Sequence, residues 1–179
     1  METNKFLLIE KELNRLLNYS DLNDLDLGLN RMIMALKAMG NPCNSVPAIQ
    51  IVGTNGKGSI ASFVQSSLNQ AGIKAGITTS PHLISWCERI AINNQQIDGE
   101  DFLQRLHDLQ PIAKTYHLSS FEKIIALGLR YFADQAVELL VLEVGLGGRL
   151  DATTAHPFRP IVAIGAIGLD HCEHLGQDI

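Results

Sequence analysis

Residues 48–72 read AIQIVGTNGKGSIASFVQSSLNQAG, and this stretch decides the fold. AIQIVG is a short apolar run ending in Gly53, the pattern of a buried strand. Beyond the loop, Ile60, Phe63, Val64, Ser67, Leu68 and Ala71 recur at helical spacing, and Gly72 can end that helix. A strand, a glycine-rich loop and a helix in that order form an anion cradle. Glycines let successive backbone N–H groups point inward, and the helix adds its positive N-terminal end. Lys57 adds a compact point charge suited to phosphate. The loop nevertheless departs from the strict pattern G-x-x-x-x-G-K-[ST], whose final hydroxyl holds magnesium. Gly58 stands where that Ser or Thr belongs, and Ile51 where the first glycine belongs. A nucleotide bound here needs its metal held by something else.

Three further apolar runs read as strands: KAGITTS (74–80), VELLVLEV (137–144) and PIVAIGAIGL (160–169). Their apolar residues do not alternate, as expected of a parallel sheet covered on both faces. Helices are predicted over 4–18, 29–39, 101–116 and 120–135, with the third disturbed at Pro111. ERIAINNQQID suggests a small hairpin about Asn93-Asn94. Strands alternating with helices predict an α/β fold: a mostly parallel sheet flanked by helices, with a helical segment over 1–45 packed on it.

Ligands of open α/β sheets bind outside the carboxyl ends of the strands. The first strand leads into Gly53, Thr54, Asn55, Gly56, Lys57, Gly58 and Ser59; the second leads into Ser80-Pro81-His82. The third ends at Glu143 and opens into GLGGRLD (145–151), and the fourth ends at Asp170-His171. Magnesium wants oxygen ligands, and a carboxylate ending an apolar strand is costly unless paired or ligating. Glu143 is therefore the best charged candidate, with an ion pair to Arg149 as its structural alternative. Ser80 offers a hydroxyl but also suits a turn. His171 and His174, three apart with no third partner at familiar spacing, are a weak zinc signal.

The bulk properties set limits on partners. The 179 residues are 46% hydrophobic and 18% charged, with a net charge of −5 and no basic stripe, which argues against a nucleic-acid partner. Cys43, Cys87 and Cys172 form no CxxC pair, so a reducing cytoplasm is the expected setting. The N-terminal apolar run is too short for a signal peptide, and no stretch reaches membrane-spanning length. A monomer is expected.

Four strings, GTNGKGS, TTSPHLISWCERIAINNQQI, LEVGLGGRLDAT and GLDHCEHLG, together with DLGLNRM (26–32), resemble folylpolyglutamate synthase/dihydrofolate synthase, the folate branch of the Mur ligase family. The resemblance runs over nearly the whole chain. It implies a P-loop NTPase-like central domain and an ATP- and Mg2+-dependent ligase that adds L-glutamate to dihydropteroate or reduced folates through an acyl phosphate. It further implies catalytic roles for Lys57, Glu143 and His171, with Thr54-Asn55-Gly56-Lys57 as the ATP phosphate cradle. Ser80, Glu143 and His171 fall at the magnesium positions. Phe121, Glu122, Leu150, Asp151 and Ala152 fall on segments touching the pterin, with Asp151 suited to accept its N–H groups. Thr154 stands where the family usually has Asn, and Ala166 and Cys172 where Ser and Thr are commoner. Family members continue with a lysine, carbamylated in many, and a C-terminal domain. The chain to Ile179 thus reads as an incomplete N-terminal ATPase domain with little or no ligase activity alone. A non-catalytic remnant binding folate or a protein partner is the second reading. A GTPase switch ranks far behind, since no N-K-x-D motif is present.

Overall fold

The computed structural model describes residues 2–17 and 28–178. Its elements in chain order are α1 (Glu2–Leu17), α2 (Asn30–Ala38), β1 (Ala48–Val52), α3 (Lys57–Gln70), β2 (Ala75–Thr78), β3 (Ile90–Ile92), β4 (Gln95–Gln96), α4 (Gly99–Thr115), α5 (Ser120–Asp134), β5 (Leu139–Glu143), β6 (Ile161–Ile164) and the short α6 (Cys172–Leu175). Single 3-10 turns cover Trp86–Arg89 and Ala152–Ala155. Part of the DLGLNRM string, residues 26 and 27, lies outside the described residues.

One six-stranded sheet runs in the order β4-β3-β2-β5-β1-β6. β1, β2, β5 and β6 are parallel neighbours, while β3 and β4 add an antiparallel flap on β2. The hairpin turn is Asn93-Asn94, both at positive φ (49° and 64°), the left-handed geometry that asparagine tolerates in a two-residue turn. The sheet is therefore mixed, with its parallel part at the centre.

Helices cover the two faces unequally. Among the described helices α3 packs one face, where Ile51, Ala61, Ile77, Ala91 and Val141 form a small core. The larger core on the other face includes Leu13 and Leu17 of α1, Leu36 of α2, Phe102 and Leu106 of α4, and Phe132 of α5. α5 buries Ile124, Ile125, Leu127 and Leu129 together, because it lies sandwiched rather than on the surface.

Two local expectations fail for physical reasons. α4 runs unbroken through Pro111: one ladder donor is lost, but Leu106, Leu109 and Ala113 stay buried on both sides and hold the turn. The fourth strand stops at Ile164 instead of running to 169. There the chain leaves the sheet, and Ala166 bridges Asn55 while its carbonyl accepts the Thr54 N–H at 2.7 Å. β6 is also the outermost strand, with Ile164 70% exposed, so its apolar run is not covered on both faces.

His156, after the second 3-10 turn, is buried, and its Nε2 meets the Val46 carbonyl at 2.9 Å. Burial lowers its pKa below the ordinary 6.5, against the opposing pull of that carbonyl. The unfolded chain then binds the more protons as pH falls through 6.5, so the folded state loses stability on acidification. His82, lowered for the same leading reason, acts in the same direction. The melting temperature is expected to fall between pH 7.5 and 5.5, with a shallower slope in His156→Gln, as thermal melts across that range will measure.

Candidate functional site at the carboxyl edge of the sheet

The register of β1 and β5 brings the two central pieces together. Ile51 pairs with Glu143, so the glycine loop and the carboxylate leave the sheet at the same level. Gly53 (φ 147°) and Gly56 (φ 79°) take conformations that favour glycine, and Gly56 caps α3 without any side-chain hydrogen bond. The first amides of α3 thus carry no side-chain cap, the condition for anion binding at a helix N-terminus. Lys57 opens the helix and folds back, its Nζ donating to the Thr54 carbonyl at 3.1 Å. The Thr54 hydroxyl donates to the Gly168 carbonyl at 2.9 Å, which straps residues 165–169 over the loop.

Glu143 is almost fully buried, and its Oε2 accepts the Ser80 N–H at 2.9 Å. Oε1 takes no hydrogen bond from the described residues. Burial pushes its pKa up, opposed by the Ser80 amide and by the charges of Lys57 and Arg89. The alternative ion pair with Arg149 is not formed. Both carboxylate oxygens lie 3.5 Å from where a Cβ on Gly58 would stand. The missing hydroxyl of the strict loop and the buried carboxylate are one arrangement: Glu143 arrives from β5 beside the position such a side chain would extend from.

Ser80, Glu143 and Gly58 therefore meet on one side of the loop. His171 is placed differently, half exposed at positive φ (49°), with Asp170 and Glu173 as its charged neighbours. It lines a cleft of about 190 Å³ with Gly53, Thr54, Lys57, Gly145 and Leu146, which Ser80 and Glu143 do not line. No group of three or more His, Cys, Asp or Glu side chains placed to hold a metal ion occurs among the described residues. What fits magnesium is narrower: one carboxylate with an open oxygen beside a phosphate-type loop, since magnesium is held by one or two carboxylates plus substrate phosphates.

The segments named for the pterin carry two internal braces. Asp151 Oδ2 accepts from the Gly145 and Leu146 amides (2.9 and 3.0 Å), and Oδ1 from the Thr153 amide and hydroxyl (2.9 and 2.5 Å). A carboxylate offers about four acceptor sites, and its own loop occupies them. Burial raises the Asp151 pKa, with these donors opposing. Glu122 closes a capping box with Ser119 and pairs with Arg31 at 2.8 Å. Ala152 is buried. Phe121 and Leu150 remain as contact surface: Leu150 is exposed, and the Phe121 ring crowds Gly145, where a Cβ would come within 2.7 Å.

Sequence reading missed the group beneath this loop, namely Gln50, Thr153 and Arg159. Gln50 Nε2 donates to the hydroxyls of Thr153 (2.9 Å) and Thr154 (2.8 Å), and its Oε1 accepts from Arg159 at 2.7 Å. The signal was present as one amide inside the otherwise apolar AIQIV. Thr154, in place of the expected Asn, donates to the Gly148 carbonyl at 2.7 Å while accepting from Gln50.

No protein-family model matches the chain. A probable dihydrofolate synthetase of Schizosaccharomyces pombe is 40% identical over 157 residues, covering 87% of this chain and 38% of that protein. The fold superposes on Mycobacterium tuberculosis folylpolyglutamate synthase complexed with ADP and AMPPCP with a TM-score of 0.85 at 33% identity, covering 96% of this chain and 39% of that one. Over 87% of its length the chain is thus homologous to proteins named dihydrofolate synthase and folylpolyglutamate synthase. A bifunctional folylpolyglutamate synthase/dihydrofolate synthase with Mn, AMPPNP and L-glutamate bound matches with a TM-score of 0.79 at 31% identity, covering 86% of this chain and 37% of that one. The chain thus spans under two fifths of the length of these folate-enzyme relatives. No helix among the described residues is long and apolar enough to cross a membrane.

The Gly58 geometry has a direct consequence. A methyl group fits at ordinary contact distance and improves helix propensity, so Gly58→Ala is expected to be neutral or stabilising by up to about 1 kcal/mol. Gly58→Thr drives a branched group against Glu143 and is expected to cost about 1–3 kcal/mol. Urea denaturation of both variants measures the difference.

Proposed function

We propose that this chain forms the ATP- and pterin-binding part of a ligase that joins L-glutamate to dihydropteroate or reduced folates. The observation that carries the reading is the meeting of Lys57, the uncapped start of α3 and the Glu143–Ser80 pair at one sheet edge. That set suits an ATP-dependent transfer of phosphate to a carboxylate. The substrate carboxylate attacks the γ-phosphorus, ADP leaves, and the glutamate amine then displaces phosphate from the acyl phosphate.

In this reading the amides after Gly56 and the ammonium of Lys57 hold the phosphates, with Gly53, Thr54, Asn55, Gly58 and Ser59 shaping the cradle. Among the described residues the Lys57 ammonium donates to a single backbone carbonyl, so turning toward a phosphate gives up little hydrogen bonding. Magnesium, held by Glu143 with Ser80 beside it, would supply positive charge against the transferring phosphoryl group, while His171 lines the neighbouring cleft. Phe121 and Leu150 offer the pterin an apolar wall. Asp151, Ala152 and Glu122 keep that wall in place, with Asp151 bracing the loop rather than accepting from the pterin. Three free cysteines, with burial pushing the Cys43 thiol to about 11, suit a cytoplasmic setting.

Calorimetric titration of the chain with ATP and magnesium tests this directly. Lys57→Ala is expected to weaken ATP binding at least tenfold, a loss of about 1.4 kcal/mol or more. Unchanged affinity would overturn the cradle.

A further inference from the structure

We infer that Gln50 is a positioning residue for the pterin-binding loop, joining it to the strand that carries the nucleotide loop. This rests on the function proposed above. Gln50 lies in the middle of β1, 3% exposed, three residues before Gly53. A polar side chain so deep in a strand must be fully hydrogen-bonded to be tolerated, and every partner it has is informative. Both partners of its amide nitrogen are hydroxyls of the loop that follows β5.

Each hydroxyl passes the contact on. Thr153 Oγ1 donates to Asp151 Oδ1, and Asp151 Oδ2 then accepts the amides of Gly145 and Leu146, which line the cleft beside Lys57. Thr154 Oγ1 donates to the Gly148 carbonyl. The donor directions form a consistent set: the Gln50 amide donates, so each hydroxyl accepts from it and spends its own proton on the loop. Arg159 holds the other end of the amide at 2.7 Å and fixes which way it faces. Val52, two residues further along β1, lies 3.4 Å from the Cβ position of Gly148, so the strand supports the loop by packing as well. The position of Leu150, Asp151 and Ala152 relative to the phosphate cradle is thus set through one buried side chain. Gln50 touches neither ligand and acts through the loop.

The test uses the whole chain with pteroate and ATP–magnesium as probes, and hydrogen exchange as a readout independent of both. Gln50→Leu keeps the volume and removes the donor. It is expected to speed exchange of the Gly145, Leu146 and Thr153 amides at least tenfold, to leave β5 amides unchanged, and to weaken pteroate at least tenfold with ATP affinity within twofold. Thr153→Val breaks the same link from the loop side, and serves if Gln50→Leu does not fold. Thr153→Ser, which restores the hydroxyl, is expected to recover pteroate binding. Unchanged exchange in folded variants overturns the relay, and faster exchange with unchanged pteroate affinity overturns its positioning role. Failure of the unsubstituted chain to bind pteroate overturns the pterin reading and the inference with it, whatever the exchange pattern; that outcome is distinguishable because it needs no variant.

Discussion

The pairing of β1 with β5 is the constraint on which the rest of the site depends. Because Ile51 stands opposite Glu143, the glycine loop and the carboxylate emerge together. A one-residue slip would turn Glu143 to the other face of the sheet and remove it from the loop. The pairing is central, flanked by β2 and β6, and its residues are almost all buried, so neither strand is free to shift. Precision at the site is obtained from the sheet core.

The two faces of β1 divide the work. Ile51 packs with α3 on one face and holds the helix whose start forms the cradle. Gln50 and Val52 serve the opposite side, where the loop after β5 folds back over the strand. Alternation along five residues therefore sends apolar support to the helix after the glycine loop and hydrogen bonds to the loop after β5.

The architecture was legible in the sequence wherever apolar runs met glycine or proline punctuation. β1, β2, β5 and four helices lie within a few residues of their expected places, because period and capping act locally. β6 was overextended, since Ala166 and Gly168 look strand-like in sequence while their partners, Asn55 and Thr54, lie more than a hundred residues away. Pro111 misled for the opposite reason: burial by distant residues outweighed a local penalty. At the carboxyl edge of the sheet the residue types could be read from the sequence, but their hydrogen bonds could not. Asp151 and Glu122 look like ligand-facing carboxylates and are occupied by their own loop and helix cap.

The departure at Gly58 and the buried Glu143 follow from one physical bargain. Holding a carboxylate nearly out of water disfavours its charged form, and the raised pKa shows that the surrounding donors do not fully offset the burial. A residue with a side-chain hydroxyl at position 58 would supply a donor but would take the space in which Glu143 sits. With glycine there, the space stays open, and among the described residues one carboxylate oxygen accepts no hydrogen bond. A carboxylate held in this way favours a nearby positive charge, and a cation beside Oε1 would offset part of the cost of its burial.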